Sequence, residues 1–219
     1  MIPAVAVLQL DTEFPRIAGD VGCRETYLEQ VEILKIAGAS VSQIVSSDPA
    51  SIAIAPFEEA IGIAVADIIV TSCGFLSYWQ SHLASCTRKI FISSALTALP
   101  ALCQTYAPRE ILTVTFDENK LNADHLGPFQ TDMIGLPEDM HLRQVISQNL
   151  TELDVDCASQ EVVEFVASKR QPHHKHLLLE CTNLPPYKAM LAARTGLPIT
   201  DILSLIEKVS SGTVRPEFL

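Results

Sequence analysis

Two cysteines stand where this sequence could place reactive chemistry. Cys73 ends the run Asp67-Ile-Ile-Val-Thr-Ser-Cys73 and leads into Gly74-Phe75-Leu76, while Cys181 ends His176-Leu-Leu-Leu-Glu-Cys181 and leads into Thr182-Asn183-Leu184-Pro185-Pro186. Each apolar run predicts a buried strand, and the residues after it predict a loop into a helix. Ligands of a parallel α/β sheet bind beyond the carboxyl ends of its strands, so both thiols are expected at the functional edge. A thiol there is a candidate base or nucleophile, and a helix N-terminus would draw its pKa down from about 8.5. The free backbone N–H groups of such a terminus also suit a bound carboxylate.

The elements that must position these thiols alternate between strand and helix patterns along the whole chain, as β-α-β units do. Strands are expected near 3–10, 39–46, 67–72 and 89–94, with helices near 24–37, 52–65, 75–85 and 95–106. A second series has strands at 110–116, 132–136, 175–181 and 197–203 and helices near 138–150, 159–169, 186–195 and 203–211. Cys73 and Cys181 each end the third strand of their series and lie 108 positions apart, half the chain. The expected fold is therefore α/β with two pseudo-symmetric lobes, each a four-stranded, mainly parallel sheet flanked by helices, and a site in the cleft between them. Residues 1–95 with 199–219 would form the lobe carrying Cys73, and 96–198 the lobe carrying Cys181.

Composition narrows the function. The chain has 219 residues, of which 48% are apolar and 6% aromatic, and a formal charge of −11. Its fifteen basic residues are dispersed, which argues against nucleic acid or an anionic membrane surface as partner. No run approaches the roughly 18–20 apolar residues of a membrane span, and the opening MIPAVAVLQLD lacks the basic start of a leader. A cytoplasmic protein with reduced thiols is expected. Cys23, Cys86, Cys103 and Cys157 read as small core residues, Cys23 being the one to check because it lies near the opening loop.

The motifs TSCGFL and ECTNLPP, the duplicated pattern and TGLPITDIL near the end resemble the aspartate/glutamate/hydantoin racemase superfamily. The resemblance implies a cofactor-independent racemase or isomerase acting at the carbon α to a carboxylate. In it Cys73 and Cys181 would flank that carbon, one removing a proton and the other supplying one, with coupled titrations. Thr182 would bind the substrate carboxylate, and Asn183, standing where the family usually has an acidic residue or a histidine, joins the substrate-binding set. Gly74 and Phe75 stand where the amino-acid racemases carry Asn-Thr, which shifts the expectation toward a bulkier or less polar acid or a hydantoin-like ring. By position, Asp11, Thr12 and Arg16 in the opening loop and Thr115 in the second half join the substrate-binding set. Asp11 would orient Cys73 or a substrate amine, or simply cap a turn, and Arg16 would pair with a distal carboxylate, or be solvated. The same resemblance admits a hydantoin racemase, a cysteine nucleophile of the maleate-isomerase kind, or a non-catalytic carboxylate-binding protein, and a homodimer.

Other motifs offer little. His173, His174 and His176 precede the strand that ends at Cys181, so at about 3.3 Å per residue they fall at its far end, and a solvated loop is expected there rather than a metal. Neither G-x-G-x-x-G nor G-x-x-x-x-G-K-[ST] nor G-x-S-x-G occurs. No metal or cofactor is expected.

Overall fold

The computed structural model describes residues 3–219. The first lobe runs β1 (Val5–Leu10), β2 (Val31–Ile36), α1 (Val41–Ile44), α2 (Ala55–Ile63), β3 (Ile68–Thr71), α3 (Gln80–Ser85), β4 (Ile90–Ile92) and α4 (Leu99–Leu102). The second runs β5 (Ile111–Thr115), α5 (Ala123–Leu126), β6 (Asp132–Gly135), α6 (His141–Ser147), α7 (Val155–Lys169), β7 (His176–Leu179), α8 (Lys188–Thr195) and β8 (Ile199–Thr200). The last helix is α9 (Ile202–Val209). The sheets have the same order, β2-β1-β3-β4 and β6-β5-β7-β8, and every pairing is parallel.

β1, β3, β5 and β7 are apolar at nearly every position because both of their faces are covered, as in the interior of a parallel sheet. One apolar core runs through both lobes, from Leu8 and Ile69 to Leu112 and Leu178. A second core covers the opposite face of the first sheet, where Ile202, Leu203 and Ile206 of α9 pack on Val5, Val7 and Val70. Asp201 starts α9 as an N-cap, its carboxylate accepting the Ser204 N–H at 2.7 Å. Ile199 pairs with Leu177 in the second sheet, so the chain crosses back to the first lobe at Asp201, two residues beyond the expected boundary at 199.

Two early elements differ from expectation. Residues 31–36 form a strand, where a helix was expected over 24–37, and 41–44 form a helix, where a strand was expected over 39–46. β2 is an edge strand whose polar residues serve its surroundings: Glu32 accepts the Val65 N–H at the end of α2, and Lys35 pairs with Asp11 and Glu13. That interruption gave the run a helical period. In α1 the alternation of Val41 and Val45 with serines imitated a strand, while Ser40 and Gln43 close a capping box.

Candidate active site

The duplicated topology builds the two halves of the site with the same bonds. Beyond β3 the Ser72 N–H donates to the Leu8 carbonyl at 3.0 Å, and beyond β7 the Glu180 N–H donates to the Val114 carbonyl at 2.9 Å. The Leu10 N–H donates to Ser72 Oγ at 3.0 Å, and at the equivalent place the Phe116 N–H works to lower the pKa of the Glu180 carboxyl. The next residue on each side is the cysteine, and the backbone N–H two residues on, of Phe75 and Asn183, works against the rise of each thiol's pKa. Thr182 Oγ1 then donates to the Ser72 carbonyl at 2.6 Å and ties the two strand ends together. Cys73 and Cys181 line one cavity of about 30 Å³ with Phe14, Arg16, Phe75 and Glu180. It is small and partly open to solvent.

Cys73 and Cys181 are 8% and 4% exposed. Burial, and next the charge of Glu180, push Cys73 up to about 12 and drive Cys181 upward as well. The expected depression of the thiol pKa is thus not met, and local geometry explains why. Gly74–Trp79 is a 3₁₀ turn, and after Cys181 the chain makes an irregular turn and a 3₁₀ turn at Pro185–Tyr187 before α8 begins at Lys188. Neither sulfur sits on the end of an α-helix, and one N–H each does not outweigh burial.

Glu180 is the functional candidate that the sequence reading missed. It is 1% exposed; Thr115 Oγ1 donates to its Oε2 at 2.6 Å, and its Oε1 has no partner. Burial pushes its carboxyl up to about 7, offset in part by the Thr115 hydroxyl and the Phe116 N–H. The carboxylate lies over Gly74, where a Cβ would fall 2.1 Å from Oε1 and 2.6 Å from the Glu180 carbonyl oxygen. A signal was present in the sequence: an acidic residue closing a strand that is otherwise apolar is rare unless it serves a site.

The opening loop divides the remaining candidates. Arg16 lines the cavity, paired with Asp20 at 2.9 Å and donating to Thr12 Oγ1 at 3.4 Å, and its Nε has no partner. Asp20 in turn accepts Asn183 Nδ2 at 2.6 Å. Gly74, Phe75, Thr182 and Asn183 also line the cavity. Asp11 does not: it accepts the Gly38 N–H at 2.9 Å and pairs with Lys35 on the surface, which is the turn-capping alternative. Thr12 is buried behind Arg16, and Thr115 supports Glu180 from outside the cavity. Cys23 is buried with its thiol on Glu25 at 3.0 Å, outside the cavity.

Asn149 fastens the opening loop to the second lobe. It holds a left-handed backbone, φ 53°, and its Oδ1 accepts the Glu13 and Phe14 N–H groups at 2.8 and 3.3 Å. Asn149→Ala should cost roughly 1–3 kcal/mol by unpairing those amides and placing Ala at positive φ. Hydrogen exchange should then lose protection at Glu13 and Phe14 while β1 stays protected, and Asn149→Asp should retain it.

The histidine cluster is more ordered than expected. His174 and His176 are buried, and Asp132 joins His173 and His174 with ligand atoms within 4.8 Å of one another. A metal does not fit this set. The Gln171 N–H donates to His174 Nδ1 at 2.9 Å, so the ring proton sits on Nε2, which donates to Asp132 at 3.1 Å and is not free to ligate.

The chain has the fold of allantoin and glutamate racemases of known structure. It aligns with allantoin racemase from Pseudomonas fluorescens at a TM-score of 0.59 and 11% identity, covering 98% of this chain and 95% of that one. Glutamate racemase from Campylobacter jejuni aligns at 0.58 and 11% identity, over 96% and 88%.

In sequence the chain is similar to dimethylsulfoniopropionate lyases. Lyase 5 of Emiliania huxleyi is 26% identical over 99% of this chain and 47% of its own length, and a lyase of Durusdinium sp. clade D is 24% identical over 91% and 71%. The chain thus spans about half the length of the first of these relatives. No family model matches the chain. Both the fold neighbours and the sequence relatives are enzymes. Among the described residues no helix is long and apolar enough to cross a membrane.

Proposed function

We propose that the chain removes a proton from the carbon α to the carboxylate of a small acid, using Cys73 and Cys181 as an acid/base pair and no cofactor. The observation that carries this reading is that the two thiols end equivalent strands of the duplicated fold and line one cavity. Arg16, the one cation among the cavity's described lining residues, supplies the partner for the substrate carboxylate, with Thr182 and Asn183 beside it. Proton loss there puts negative charge on the substrate carboxylate, which these donors stabilise.

The fate of the resulting carbanion depends on the β-carbon. Return of a proton from the opposite thiol inverts the centre, which is racemisation. A leaving group on the β-carbon is instead expelled by the same carbanion, which forms a double bond, and the first thiol's sulfur keeps the abstracted proton until it passes to solvent. The fold favours the first outcome and the sequence relatives favour the second, in the form of a lyase acting on a β-sulfonium acid such as dimethylsulfoniopropionate. Incubation with enantiopure amino acids, a hydantoin and dimethylsulfoniopropionate separates them. Loss of optical activity identifies a racemase, release of dimethyl sulfide with acrylate identifies a lyase, and neither product with any of these acids counts against the proposal.

A further inference from the structure

Resting on that reading, the cavity also identifies the kind of acid. Two charged groups of opposite sign face the same small cavity and each keeps an unpartnered atom: Glu180 Oε1 and Arg16 Nε. Arg16 still has Asp20 as a counter-ion, at 2.9 Å. Glu180 has none: its hydrogen bond is from the Thr115 hydroxyl, and the Phe116 N–H that also favours its charged form is neutral as well. A buried carboxylate without a cation is costly to keep unless something charged arrives to meet it. Phe14, Phe75 and Phe116 line the same cavity, and aromatic rings are the apolar surfaces that best accept an onium group.

Pseudo-symmetry sharpens the point. Ser72, at the equivalent place in the first lobe, accepts a backbone N–H with a short hydroxyl. Glu180 takes its hydrogen bond from the Thr115 hydroxyl instead and extends across to Gly74, beside Cys73. The short Ser72 side chain stops at its own strand end, whereas the longer acidic one reaches Gly74 at the other lobe's strand end. It also leaves no room for a side chain at position 74, so the Gly74 that departs from the amino-acid racemase pattern and Glu180 form one adaptation.

We infer that Glu180 is the specificity-determining residue that receives a positive charge on the substrate, and that the site takes a zwitterion whose carboxylate goes to Arg16 and whose ammonium or sulfonium goes to Glu180. The charged or titratable groups on the elements around Glu180 are Cys73 and Cys181, the Arg16–Asp20 pair, and the Asp117–Arg143 pair next to Phe116. Burial pushes both thiols up in the unliganded site, so the loss of the first thiol proton follows substrate binding, and Glu180 is the group that changes charge near neutrality before it.

The test is isothermal titration at pH 8 with 3-(trimethylammonio)propanoate and 4,4-dimethylpentanoate, the isostere that keeps the carboxylate and lacks the cationic centre, using wild type and Glu180→Gln. Wild type should bind the zwitterion at least about tenfold more tightly, as a desolvated cation contact allows. Glu180→Gln, which keeps an acceptor for Thr115, should lose that preference while binding the isostere no worse. Lowering the pH from 8 to 6 should weaken zwitterion binding to wild type, because Glu180 then takes up a proton at about 7, and should leave the isostere unaffected. A preference that persists in Glu180→Gln, or equal binding of both probes by wild type, overturns the assignment of Glu180 and leaves the carboxylate site standing. Failure of wild type to bind either probe overturns the carboxylate reading with it.

Discussion

Glu180→Gln should make the protein more stable at pH 8, by about 3 kcal/mol, the free energy that corresponds to raising a buried carboxyl from its ordinary 4.5 to about 7. The unfolded chain releases the Glu180 proton near 4.5, whereas the folded chain holds it up to about 7. Between those values the folded state binds more protons, so rising pH favours unfolding, and above 7 the full cost of the buried charge is in place. Glutamine carries no such cost. Urea denaturation should therefore show the two proteins converging near pH 4 and diverging to the full difference by pH 8. In a chain of 219 residues that corresponds to a melting temperature roughly 6–12 °C higher for the variant. Equal stabilities at pH 8 would mean that Glu180 is not a strained charge. A stabilising change that costs substrate binding is the usual mark of a residue kept for function.

Gly74→Ala should act in the opposite direction, at the same contact. The new Cβ would lie 2.1 Å from Glu180 Oε1, 2.8 Å from its Cδ and 2.6 Å from its carbonyl oxygen. The carboxylate can swing aside, at the cost of the Thr115 bond, but the carbonyl belongs to the chain next to Cys181 and cannot move without moving that thiol. A loss of at least about 3 kcal/mol is expected, the upper part of the range for overpacking a core. Adding Glu180→Ala should recover part of that loss and no more, because the clash with the carbonyl remains. Stability within about 0.5 kcal/mol of wild type would show that the two strand ends are not in this close contact.

The fold was legible because its signals are long-range and repeated. Four buried parallel strands, β1, β3, β5 and β7, read directly as apolar runs, and the spacing of Cys73 and Cys181 exposed the duplication. The errors fall on β2 and α1, where one edge strand carries Glu32 and Lys35 for surface duties and a four-residue helix rests on the Ser40 cap. Local pattern is weakest for short elements at an edge, whose residues answer to their neighbours.

The site was legible in part. Cys73, Gly74, Phe75, Cys181, Thr182, Asn183 and Arg16 come together. Asp11 and Thr115 were carried by position along a strand, and position alone does not say which way a side chain turns. Glu180 went unread because it was taken as part of the strand running to Cys181, and only the three-dimensional contact with Gly74 reveals that its side chain reaches across to the other lobe's strand end. Asp20, which links Arg16 to Asn183, is invisible for the same reason: its partners lie 4 and 163 residues away.

The measurement that tests the paired-thiol account most directly is proton NMR in D2O of small carboxylic acids with wild type, Cys73→Ser and Cys181→Ser, under conditions where each variant is folded. The account predicts exchange or loss of an α-proton of at least one acid with wild type, reduced roughly 10²–10⁴-fold in each single variant. Undiminished exchange in either variant, or no exchange by wild type with any amino acid, hydantoin or onium carboxylate, would contradict it.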